Sequence, residues 1–177
     1  MKTNAAQEVK SDLDRCEAIA ASLVKEAKFL GDSAAEQNAL QRVIDVSDPA
    51  QVRRMTELLT IAEVGNPRRT CRHQEMDAAR KALSDHCQSF VREALAPRLR
   101  DLEARARARV EKKLKPHFPE PDALSSAATH STELSALAPI QSHAVVHDYS
   151  TDGAQRQAKL LLEAWIAADA FEQQHLS

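Results

Sequence analysis

Residues 9–30 read VKSDLDRCEAIAASLVKEAKFL, and their apolar positions decide the fold class. Val9, Leu13, Cys16, Ala20, Leu23, Ala27 and Leu30 recur at alternating steps of four and three. That spacing is an a/d seam held for about three heptads, which predicts a helix that packs along a narrow stripe. Ile19 and Val24 widen its apolar face. Gly31 follows at once, in the place of a C′ residue able to adopt the left-handed conformation, so the helix is expected to close there. Asp32 or Ser33 would cap the next one.

Outward from this helix the pattern stays helical. A shorter helix is expected over 34–46, presenting Ala39 or Leu40, Val43 and Ile44. Asp48-Pro49 reads as N-cap and first turn of a third, with Gln51 completing a capping box. Its buried face is Val52, Met55, Leu58, Leu59 and Ala62, and Val64-Gly65-Asn66-Pro67 is expected to end it. From 68 to 115 there is no glycine and a single proline, Pro97. One stripe runs Met76, Ala79, Leu83, Cys87, Phe90, Ala94. A second runs Leu95, Leu99, Leu102, Ala106, Val110, Leu114. The phase changes beside Pro97, which cannot donate to the carbonyl of Glu93, so a kink or break is expected there. An unbent helix of that length would run about 72 Å, long for a lone domain of this size.

Pro116, Pro119 and Pro121 form a stiff connector after the long helix. Residues 125–135 read as a loose loop around a short helix ending at Pro139, and Ala144–Tyr149 fits strand or helix equally. Asp152 and Gln155 can cap a final helix that buries Ala158, Leu161, Leu162, Trp165, Ala168 and Phe171. The expected architecture is an all-α antiparallel helical bundle with coiled-coil-like long helices. Its parts would be a bundle domain over 1–115, a Pro/Ser-rich connector over 116–150, and a C-terminal helix over 151–177 that packs back on the bundle or on a partner.

Composition agrees. The chain has 177 residues, 43% hydrophobic and 28% charged, with 3 Gly. So apolar a chain is not disordered, no apolar run reaches the roughly 20 residues of a membrane span, and few residues are left for tight hairpins. No membrane association is expected. Three cysteines argue against a disulfide framework, and Met1–Lys10 has no apolar core of a leader peptide, so the expected compartment is the cytoplasm.

Net charge is only −2, yet it is segregated along the chain. Residues 66–115 carry 14 basic against 7 acidic groups, and 116–177 carry 2 against 8. One reading folds the acidic end over the basic middle. Another offers Arg68, Arg69, Arg72, Arg98, Arg105, Arg109 and Lys112 as candidate contacts to a nucleic acid or an anion. Interleaved acids and the lack of an aromatic after Phe90 in this segment favour the first.

Catalytic constellations are not found. Three dispersed glycines build no nucleotide loop, and there is no Gly-x-Ser-x-Gly elbow. His143 and His147 share a helical face and are the metal candidates, but Ala144 stands where a zinc protease has its Glu. Glu172 and His175 match one half of a di-iron element, without a second copy. Cys71-Arg72-His73 and His86-Cys87 lie about 22 Å apart on one helix, too far for one ion. No cofactor is expected. The function expected is a non-enzymatic interaction or structural role through oligomerisation, with a homodimer favoured or a protein partner. The Val9–Leu30 stripe would be the seam. A nucleic-acid-binding accessory role for 66–115 is the alternative, and a metal-binding helical module the remoter one.

Overall fold

A computed structural model describes residues 3–144 and 153–176; these are helices joined by short turns, with no strand among the described residues. The order is α1 (Thr3–Val43), α2 (Pro49–Phe90), a π-helical turn (Val91–Leu95), α3 (Ala96–Leu114), α4 (Pro121–Thr129), α5 (Thr132–His143) and α6 (Ala154–His175). The all-α bundle expected from the apolar stripes is the observed class.

Several boundaries are corrected. Gly31 does not close a helix: α1 runs through it, no glycine has positive φ, and the separate helix over 34–46 is part of α1. Gly65-Asn66-Pro67 likewise lies inside α2. A glycine costs a helix about 1 kcal/mol and a proline about 3, and contacts along a packed face can exceed both. The start of α2 is capped as expected, since Ala50 donates its N–H to Asp48 Oδ1 at 2.9 Å. Gln51, however, accepts from the Asp45 N–H and does not close a box on Asp48. The region 125–135 is more ordered than expected. Ser131 caps α5 by accepting from the Leu134 N–H, and α5 continues past Pro139. Asp152 and Val145–Tyr149 lie outside the described residues.

The irregularity expected at Pro97 is the π turn just before it. The Ala96 N–H reaches back five residues to the Val91 carbonyl. A π turn holds one residue more than an α turn, and Ala94 and Leu95 are consecutive buried residues that join the two stripes. Met76, Ala79, Leu83, Cys87 and Phe90 before the turn are buried, as are Leu99, Leu102, Ala106 and Val110 after it.

The chain divides into two compact units. One comprises Met1–Leu13 and Arg80–Ser177. In it α6 packs on α5 and α3, and α3 also packs on α4 and α5. Ala154, Ala158, Ala164 and Ala168 give α6 a flat buried stripe, which Leu161 and Phe171 complete. The other unit, Asp14–Ala79, contains only parts of α1 and α2 and the turn between them.

Candidate interaction surface

The Asp14–Ala79 unit is an antiparallel helical hairpin. Glu26 meets Arg72 at 3.6 Å, Leu30 lies against Gly65, and Glu36 meets Arg54 at 2.7 Å. Of the predicted seam, Val9, Leu13 and Cys16 are buried, whereas Ala20, Leu23, Ala27 and Leu30 are only half-buried. The sequence of α2 explains the difference. Stepping by four and three from Leu58 through Ala62 and Gly65 lands on Arg69 and Arg72 before it reaches Met76 and Ala79. Two successive seam positions are therefore charged, and both residues are exposed. Arg72 turns aside to pair with Glu26 and with Glu75 at 2.9 Å.

Large apolar side chains remain uncovered on this hairpin. Val24, Phe29, Val43, Val46, Val52, Leu59 and Val64 are 40–82% exposed, and elsewhere among the described residues only Phe118 and Ile166 are comparable. They divide between its two sides. Phe29 and Val64 each precede a seam residue, Leu30 and Gly65, by one position. In antiparallel helices that rotation points both to the same side. Val24 and Leu59 each follow a seam residue and point to the other. On the first side Glu26, Phe29, Leu30, Gly65 and Arg68 line a notch of about 150 Å³. Gly65 is its floor, because a Cβ there would overlap Leu30 Cδ2.

The basic segment has a different fate. Arg98, with only 14% of its side chain exposed, pairs with Asp169 and Glu172 and lies 4.3 Å over the Trp165 ring. Arg105 pairs with Glu172 at 2.5 Å and with Asp101 at 3.6 Å. Arg109 donates to the His175 carbonyl at 2.7 Å, and Lys113 pairs with Glu133 at 3.0 Å. The acidic end thus does cover part of α3. The Arg105 guanidinium, then desolvation acting the other way, then Arg98 set the Glu172 carboxyl, and the balance holds it below its usual value. Glu133 is lowered first by its own backbone N–H and then by Lys113. Arg68, Arg69 and Lys112 are exposed and have no ion-pair partner among the described residues.

Trp165 also stacks on Phe90 at 5.4 Å, and sequence reasoning did not join it to Arg98. The two are 67 positions apart, and only the opposite charges of their segments hinted at the approach. His143 is the last residue of α5 and His147 lies outside the described residues. His175 stacks on Phe171 at 4.8 Å. His86 bonds Asp12 at 2.5 Å, and burial together with that carboxylate pushes the Cys87 thiol up to about 12. No group of three metal-ligating side chains occurs among the described residues.

No protein-family model matches the chain, and neither a curated protein nor a solved structure matches it.

Proposed function

We infer that the chain is a non-enzymatic interaction protein that acts by helix–helix association, with the Asp14–Ala79 hairpin as the associating part. The observation that carries this reading is the seven large apolar side chains exposed on a unit of two helices. Burying such a side chain fully is worth about 1.5–3 kcal/mol. Association costs about 4–15 kcal/mol in lost freedom, so several of them together are of the size that a stable complex needs. Scattered exposed apolar residues are ordinary on any surface; a concentration of them on one small unit marks a contact surface.

Nucleic-acid binding is supported less, because Arg98, Arg105 and Arg109 already serve α6. Membrane insertion has no support either, since no described helix is long and apolar enough to cross a bilayer. Sedimentation equilibrium of the full chain at micromolar concentration tests the reading. The expected result is a mass that rises with concentration above the 19.5 kDa of one chain. A constant single-chain mass, with no co-purified protein, would overturn it.

A further inference from the structure

We propose that the partner of this hairpin is a second copy of the same chain, packed antiparallel on the side that carries Phe29 and Val64, with the two-fold axis passing at the level of Leu30 and Gly65. The inference rests on the reading of the chain as a self-associating protein and adds the face, the direction and the register.

Position comes first. The hairpin unit begins at Asp14 in α1 and turns after Val43, so Phe29 and Leu30 stand near its midpoint, as do Val64 and Gly65 on the returning helix, α2. An isologous contact must be self-complementary about its axis. An apolar patch at the midpoint meets itself when one copy is turned end for end, so that both hairpins overlap along their length. On the opposite side Val24 lies toward the open end on α1, whereas Leu59 and Val52 lie toward the turn on α2, so the same operation, which sets each helix against its own copy, would not superpose that patch on itself.

Charge gives the direction. In the eight residues before the axis on α1 and the eight from Gly65 onward on α2, Lys25, Lys28, Arg68, Arg69 and Arg72 stand against Glu26 alone. In the eight residues on the other side of the axis in each helix there are Asp32, Glu36, Glu57 and Glu63 and no basic residue. These stretches on the two sides of the axis therefore carry +4 and −4. Antiparallel packing sets each half against its opposite, and parallel packing would set like on like. Lys25, Lys28, Arg68 and Arg69 have no ion partner among the described residues, nor do Asp32 and Glu63, so they are free for the second copy.

The register follows. With the axis at Val64, α2 lies against α2 of the other copy, and residue 68 faces residue 60. This brings Arg68 between Glu57 and Glu63 of the second chain. The notch over Gly65 receives the opposing apolar side chains, and the assembly is an antiparallel four-helix bundle with helices about 8–10 Å apart. Cys71 is exposed and faces residue 57 of the second copy.

The test is cross-linking of the full-length Glu57→Cys variant by a short bismaleimide, with the linked peptides read by mass spectrometry. The expected product is a covalent dimer joined from position 57 to Cys71, formed in good yield. The unmodified chain should give none through Cys71, because the two Cys71 residues would lie about 21 Å apart. An internal link from 57 to 71 must span the same distance along one helix and is likewise excluded. Val52→Cys, on the other side of the hairpin, serves as the comparison. A chain that sediments as an oligomer but links through Val52→Cys, or that does not link through Glu57→Cys, overturns this interface and leaves the self-associating reading standing. A chain that stays monomeric removes both.

Discussion

Gly31 and Gly65 both sit inside helices with ordinary negative φ, and what surrounds them separates their roles. A Cβ at Gly31 would meet nothing within 4 Å, whereas one at Gly65 would strike the end of the half-buried Leu30 side chain. Replacing Gly31 by Ala should therefore recover the helix propensity alone, about 1 kcal/mol. For a chain of this size that corresponds to about 2–4 °C in the melting midpoint followed by far-ultraviolet circular dichroism. Gly65→Ala should gain less, because Leu30 must turn aside. A fall in midpoint for Gly31→Ala would mean that the helix does break there. Local chemistry alone favours a stop at Gly31, since a glycine after an apolar run is the usual C′ signal. Leu30, the residue before Gly31, lies instead against Gly65, 35 positions away, and no reading of neighbours reveals that contact.

The π turn shows what the apolar pattern does reveal at the scale of an element. The stripes before and after Pro97 are out of phase by one residue, and this is legible because burial has a strict period along a helix. Pro97 by itself implies a kink or break; the structure absorbs the extra residue in a five-residue turn and continues. Proline identified the place, while the form of the irregularity depended on keeping Ala94 and Leu95 both buried. A pair of length variants separates these ideas. Deleting the exposed Arg92 converts the π turn to an α turn and leaves Phe90, Leu95, Leu99 and Leu102 on one stripe, so a cooperative melt should survive, weakened by a proline now within regular helix. Inserting an alanine at the same point turns α3 by about 100° more and carries Leu99, Leu102, Ala106 and Val110 out of the core. That variant should lose cooperative unfolding. Equal tolerance of both changes would show that the phase is not what this turn preserves. The half-buried stretch from Ala20 to Leu30 was legible as a seam too, but not as an incomplete one, because the charged Arg69 and Arg72 that interrupt it belong to the other helix.

At the scale of the molecule, charge segregation is the feature that the sequence declared most openly, and it is answered in two ways. Within the unit that contains α6, opposite charges meet in one chain: Glu172 joins Arg105 and Arg98, and Glu133 joins Lys113. Within the hairpin, Glu26 meets Arg72 and Glu36 meets Arg54, but Lys25, Lys28, Arg68, Arg69, Asp32 and Glu63 have no ion-pair partner among the described residues, and these are the charges that the proposed second copy would complement. The first arrangement has a defined pH signature. Both carboxyls titrate below their usual value of 4.5, so the folded form holds fewer protons than the unfolded one as that value is crossed. Their stabilisation is fully present above 4.5, and it is lost as the pH falls through the lowered folded values. These groups are solvent-exposed, so the loss should be modest and screened by salt. Trp165 is the only tryptophan and lies against Arg98 and Phe90, so its fluorescence reports this unit alone. Its thermal midpoint should fall between pH 7 and pH 3, and Glu172→Gln should lower the midpoint at pH 7 while shrinking its drop toward pH 3. An unchanged drop in that variant would assign the acid sensitivity to other groups and leave the α3–α6 ion cluster without a part in it.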